Sequence, residues 1–210
     1  MNRNKLIKWI LLFVLIINVK AMNAQNNTST TLDARQQSIV NISALTATGD
    51  LENLKIQLNT ALDAGLTINE IKEVLTQLYA YCGFPRSLNA IGTFMNVLEE
   101  RKSKGIVDVV GKVATPLKDN ADTYERGRKT IEVLTKTPQA KPAPGFGEFA
   151  PRMDAFLKEH LFADIFDSDV LTWQQREFAT ISALAAMTGV EPQLQSHIKM
   201  GMNTGITENQ

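Results

Sequence analysis

"GLTINEIKEVLTQLYAYCGFPRSLNA", residues 65–90, decides the fold. Gly65 suits the position just past a helix end, and Thr67 with Glu70 three residues later spells a capping box that opens the next helix. Ile71, Val74, Leu75 and Leu78 then fall on one face at helical spacing. The helix breaks at Gly83-Phe84-Pro85 and a second one follows. Upstream, Leu51, Leu54, Leu58, Ala61 and Leu62 share a face in the same way. Asp33 with Gln36 and Thr172 with Gln175 give weaker versions of the same start signal. No alternating strand pattern persists anywhere, so the protein is expected to be all-α.

Part of this pattern occurs twice. "LDARQQSIVNISALTATGDLENLKIQLNTALDAGLT" (32–67) lies over "LTWQQREFATISALAAMTGVEPQLQSHIKMGMNTGIT" (171–207), sharing ISAL, a Thr-Gly at the first break and a Gly-(Leu/Ile)-Thr after the second helix. The second copy carries one extra residue before its Thr-Gly. Each copy reads as an amphipathic helical hairpin, and two related units are expected, at 32–104 and 121–210, with a linker at 105–120. Between the copies, 121–137 and 152–166 read as helical around a Pro/Gly-rich loop at 138–151. Thr207 and Gln210 repeat the capping-box spacing, where the first copy runs on into its third helix. The second unit is therefore expected to be incomplete.

Residues 1–24 have the form of a signal peptide: a basic start (Arg3, Lys5, Lys8), the apolar run "WILLFVLIINV" and small residues up to Ala24. Export to a bacterial periplasm is expected, with no membrane attachment after cleavage, and 25–31 is a polar lead-in. Four of the 22 basic residues lie in this leader, which leaves 18 against 22 acidic residues and a net charge near −4. That balance is a poor footprint for nucleic acid. One cysteine cannot form an internal disulfide, so an apolar core must hold the fold.

The motif G-(I/L)-T-x-x-E-I-x-E-V-L-x-Q-x-x-x-Y-x-G-x-P-x-x-x-N-A resembles the carboxymuconolactone decarboxylase family, related to alkylhydroperoxidase D-like proteins, and runs continuously from Gly65 to Ala90. "YERGRKTIEVL" (124–134) and "LTWQQREFATISAL" (171–184) resemble other segments of such decarboxylases. The resemblance implies a helical bundle that usually forms homo-oligomers. In the peroxidase branch a glutamate precedes a C-x-x-C pair and a histidine follows it. Here Glu177 and His197 hold the acid and histidine positions, but Val190 and Gln193 stand at the cysteines. In the first unit the same positions read Ser38, Asp50, Asn53 and Gln57. Without a dithiol the peroxidase reading loses its mechanism.

The decarboxylase branch keeps the histidine without the dithiol. His197 as proton donor, oriented by Glu177, is the candidate catalytic pair for a cofactor-independent acid/base lyase acting on a small carboxylated or lactone substrate. Arg176 or Arg86 would pair with a substrate carboxylate, and Tyr81 and Cys82, from helices that only the first unit has, complete the candidate binding set at a junction between units. Cys82 also reads as a small residue that lets the Gly83-Phe84-Pro85 turn pack closely, and His160 as a half-exposed helix residue. Two histidines without a carboxylate cluster give no metal site. The alternative is a non-catalytic helical binding or scaffold protein.

Overall fold

Asp33 opens helix α1 (Ala34–Thr48) with a reciprocal capping box to Gln36, and Gly49 ends it in the left-handed region at φ 77°. Helix α2 (Leu51–Asp63) follows directly, capped by Asp50. Gly65, at φ 86°, turns the chain into α3 (Ile68–Cys82), where Thr67 and Glu70 form the predicted box. Gly83 then separates α3 from α4 (Phe84–Ser103), a 20-residue helix with proline in its first turn. The second half holds α5 (Thr123–Thr135), the short α6 (Phe146–Phe149) and α7 (Pro151–Ala155), which runs on as a π-helix over Phe156–Ile165. Helices α8 (Trp173–Ala185, boxed by Thr172 and Gln175) and α9 (Glu191–Asn203) complete the computed structural model. It describes residues 31–117 and 122–210, and no strand occurs among them. The expected signal peptide lies outside the described residues.

The two repeated hairpins, α1–α2 and α8–α9, meet through their equivalent helices, α1 against α8. Helix α3 packs on both, and α4 closes over α1 and α2. The main core lies at this junction. Ile39, Ile42, Leu54, Leu58, Ile71, Leu75 and Leu78 are at most 1% exposed, and Leu171, Phe178, Ala179 and Ala183 of the second repeat join them. Burying a side chain of the leucine or isoleucine class contributes about 1.5–3 kcal/mol, so both repeats stabilise one body, Leu32–Gln210. A smaller cluster joins α5, the π-helix and α9 around Leu134, Leu161, Phe162, Phe166 and Met200.

The stretch read as a linker is fastened to the body along its first part. Val109 and Val110 accept hydrogen bonds from the Ile68 and Asn69 amides, two donors that the first turn of α3 leaves unpaired (2.9 Å each). Arg101, nearly buried, grips both carboxylate oxygens of Asp108 and one of Asp63. Farther on, Asp169 accepts from the amide and hydroxyl of Thr115.

Inside the second half, Lys158 and Asp154 form an ion pair at 2.8 Å, both at most 1% exposed, with Tyr124 and the Ala140 carbonyl also bound by the lysine. Helix α5 reaches the π-helix closely enough for this because residue 127 has no side chain. A Cβ on Gly127 would stand 1.8 Å from the Lys158 carbonyl oxygen, which is backbone and cannot swing away. Gly127→Ala is therefore expected to cost about 2 kcal/mol or more through overpacking, whereas Gly92→Ala, in open space inside α4, should stabilise by about 0.5–1 kcal/mol. Urea unfolding of the two variants beside the parent chain tests both signs.

Candidate functional site

Helices α8 and α9 supply the acid and the histidine. Glu177 sits one turn into α8 with its side chain fully buried, and His197 lies midway along α9 with 6% exposure. Nδ1 of His197 is 2.8 Å from Glu177 Oε2. The imidazole is walled by aromatic rings from two other elements. Tyr81 of α3 meets it edge-on at 5.4 Å, and Phe162 of the π-helix lies parallel to it at 6.5 Å. The histidine thus meets its own hairpin through Glu177, helix α3 through Tyr81 and the π-helix through Phe162.

Three buried polar atoms near this pair lack a hydrogen-bond partner: Glu177 Oε1, Tyr81 Oη and Arg176 Nε. Buried polar atoms are paired in the great majority of cases, so a cluster of orphans marks a place with hydrogen-bonding capacity to spare. Burial pushes the Tyr81 phenol well above its ordinary pKa, and the Glu177 charge adds to this, while the Thr180 hydroxyl and Arg176 oppose it. Tyr81 is therefore a neutral donor at any physiological pH.

Arg176 is wholly enclosed. Its guanidinium donates to Gln77 Oε1 (2.8 Å), Glu73 Oε1 (2.7 Å) and the Ser168 carbonyl (2.6 Å). Gln77, also fully buried, returns bonds to the Arg176 carbonyl and the Thr180 hydroxyl, each at 2.9 Å. Burial lowers the Arg176 pKa, and the Glu73 carboxylate counters it. The geometry makes Arg176 a clamp between α3 and α8 that holds Glu177, its chain neighbour, in register.

Arg86 and Cys82 form a different neighbourhood. Arg86 lines a cavity of about 320 Å³ with Ala47, Thr48, Ala186, Met187 and Thr188, at the two Thr-Gly breaks. Cys82 is half-buried, and its thiol lies 3.1 Å from the Leu78 carbonyl. Burial pushes the thiol's pKa up, the nearby Arg86 charge opposing it. A thiol so placed is not activated as a nucleophile. His160 lies on the π-helix, 3.2 Å from Asp164 and beside the Tyr79 ring.

The same helices carry the quoted motif, and the comparison with known proteins falls on them. Residues 19–94 match the model of the carboxymuconolactone decarboxylase family. That match lies wholly in the first half of the chain. The matched carboxymuconolactone decarboxylase segment holds the first hairpin, α3 with Tyr81, and part of α4, including Arg86; Glu177 and His197 lie beyond it. An uncharacterized protein of Methanocaldococcus jannaschii is 30% identical over 66 residues, which are 31% of this chain and 62% of that relative.

Phe162, Gln77 and Thr180 are the neighbours that sequence reading missed. Gln77 carried a signal, a polar residue inside the apolar face of α3. Phe162 carried none, since a single aromatic in an apolar helix reads as core. Arg176→Met is expected to destabilise the protein by about 3 kcal/mol by leaving Glu73 and Gln77 without their partner. Chemical unfolding measures this, and unchanged stability together with weaker ligand binding would make Arg176 a ligand contact instead.

Proposed function

We propose that this is an exported, oligomeric carboxymuconolactone decarboxylase-like lyase. In this reading it removes CO₂ from a small carboxylated or lactone substrate by acid/base catalysis, without a cofactor. The observation that carries the reading is the buried 2.8 Å contact between His197 Nδ1 and Glu177 Oε2. As a carboxylate, Glu177 accepts from Nδ1–H, which fixes the tautomer and leaves Nε2 to exchange a proton with substrate. Loss of CO₂ breaks the carbon–carboxylate bond and sends its electron pair into the conjugated carbonyl system. Protonated Nε2 then delivers a proton to carbon, and the imidazole is reprotonated from solvent. The unpartnered Tyr81 hydroxyl suits a substrate oxygen that gains charge in this step.

Export, read from the leader, places the substrate in the periplasm, so a small acid other than the family's namesake is the better fit. The second reading, a non-catalytic helical binding module, draws support from the near-complete enclosure of His197. A dithiol peroxidase has no support from the chain's chemistry. Val190 and Gln193 stand where the paired thiols would be, and the single Cys82 thiol is deactivated by burial.

A panel of small unsaturated acids and lactone acids, assayed for CO₂ release and for deuterium uptake at carbon in D₂O, tests the proposal. Turnover is expected with at least one of them, with His197→Gln lowering kcat by about 10²–10⁴-fold. Glu177, a positioning residue, should show a smaller loss on Glu177→Gln together with a displaced pH–rate profile. No CO₂ release from the parent protein, or release indifferent to His197→Gln, would discard the lyase in favour of the binding module.

A further inference from the structure

Two fully buried polar side chains beside the candidate site take no part in the chemistry above: Gln77 on α3 and Thr180 on α8. Their hydrogens follow from the heavy atoms. Arg176 Nη1 lies 2.8 Å from one terminal atom of the Gln77 amide, and a guanidinium has donors but no acceptor, so that atom is Oε1. The other terminal atom is therefore Nε2, which can only donate. It stands 2.9 Å from the Arg176 carbonyl oxygen and 2.9 Å from Thr180 Oγ1. Thr180 Oγ1 must accept, and its own single hydrogen points away from Gln77. Inside a helix such a hydrogen often bonds the carbonyl one turn back, as those of Ser38, Ser43, Thr130 and Ser182 do in this protein. Thr180 forms no such bond among the described residues, and the carbonyl that would receive it, that of Arg176, takes the Gln77 amide.

The hydroxyl left free in this way belongs beside Tyr81, one turn beyond Gln77 on the same face of α3. The phenol oxygen is buried and unbonded. Thr180 pulls the phenol's pKa down, while burial and the Glu177 charge push it up. We infer that Arg176, Gln77, Thr180 and Tyr81 form a one-way hydrogen-bond chain, in which Thr180 is a positioning residue that aims the Tyr81 hydroxyl hydrogen at a substrate oxygen. The substrate in this statement rests on the lyase reading. The direction of the chain rests on Gln77, whose amide cannot be turned round while Arg176 holds its oxygen. With Thr180 donating into a lone pair of the phenol, Tyr81 presents its hydrogen to the Glu177–His197 side. The Thr180–Tyr81 bond closes as that hydrogen is given to the substrate, since catalytic hydrogen bonds tighten in the reacting complex. Bonds in such a chain polarise one another, and this one starts at a guanidinium. Tyr81 therefore suits the conjugated carbonyl that receives the electron pair when CO₂ leaves, where negative charge develops.

The test replaces Tyr81 in the whole chain by a fluorinated tyrosine, whose more acidic phenol brings the buried group into titration range, and follows its ionisation by fluorine NMR. Thr180→Val keeps the shape of the side chain and removes the hydroxyl. It should make the phenol about tenfold less acidic, because a hydrogen bond to the phenolate is lost, and Thr180→Ser should restore the parent's acidity. Thr180→Ala gives the same comparison if the valine variant does not fold. Equal acidity in the parent and Thr180→Val would overturn the inference. So would a serine variant displaced as far as the valine one, the pattern expected if Thr180 served through its methyl group. With any acid of the panel that is turned over, Thr180→Val should lower kcat about tenfold with KM little changed. It should cost nothing further in a Tyr81→Phe background, since Thr180 acts through the phenol; an independent loss there would also overturn the inference. If no acid is turned over, the lyase reading fails and the titration alone decides the chain.

Discussion

The exchange of hydrogen bonds between Gln77 and Arg176 sets the geometry on which the candidate site depends. Two fully buried polar side chains, 99 residues apart, bind each other and each other's surroundings: the guanidinium takes Gln77 Oε1, and the amide nitrogen takes the Arg176 carbonyl. Arginine inside a protein tolerates no slack, because a guanidinium out of water must find acceptors in fixed directions. Glu73, Gln77 and the Ser168 carbonyl provide them, so α3 can neither slide nor turn on α8 without losing a charge-assisted bond. That lock puts Tyr81, one turn beyond Gln77, against His197, and holds Glu177 at the same time.

Most of the fold was legible because it is written in local chemistry. The capping pairs Asp33/Gln36, Thr67/Glu70 and Thr172/Gln175 each start a helix where expected, since a cap is a contact over three residues that tertiary structure seldom overrides. What was not legible is long-range. Nothing in "LTWQQREF" says that Arg176 is held by α3, and a surface or substrate-facing arginine reads the same way. The segment after α4 looks like a loose linker, yet the buried Arg101 pins it through Asp108. The π-helical register of 156–165 reads simply as helix, because hydrophobic spacing over ten residues does not separate the two. At the site, Glu177 and His197 came from the family resemblance, and the aromatic walls came only from the structure.

The two repeats have parted in a way that follows from their different lids. In the first, the positions of Glu177 and His197 are Ser38 and Gln57. Ser38 bonds back to the Ala34 carbonyl and Gln57 pairs with Asn41, local contacts that ask nothing of another helix. In the second, the same two positions hold an acid and an imidazole inside the protein. A buried ionisable pair is costly unless its neighbours supply partners and exclude water. Helix α3 and the π-helix do this for the second hairpin, with Tyr81 and Phe162 closing over the ring. In the first hairpin Ser38 is buried and Gln57 half-buried, and each is satisfied within its own hairpin.

This asymmetry ties the candidate site to the seat of α3. His197 owes its enclosure to α3, the helix that follows the first hairpin, and to the π-helix, so the chemistry of the second hairpin is completed by packing from outside it. The orphaned atoms Glu177 Oε1 and Tyr81 Oη lie on that shared boundary. Any molecule that satisfied both would have to part the aromatic wall at α3 or the π-helix, and the Arg176 clamp resists movement at α3. The π-helix is the more yielding side. Its wider ring makes poorer backbone contacts than an α-helix, such insertions are frequent at functional sites, and Phe162 is held there by apolar packing, without a hydrogen bond to break. What separates the two walls is the backbone behind them: Tyr81 stands on the helix that Arg176 clamps through Glu73 and Gln77, and Phe162 on a π-helix packed through apolar side chains.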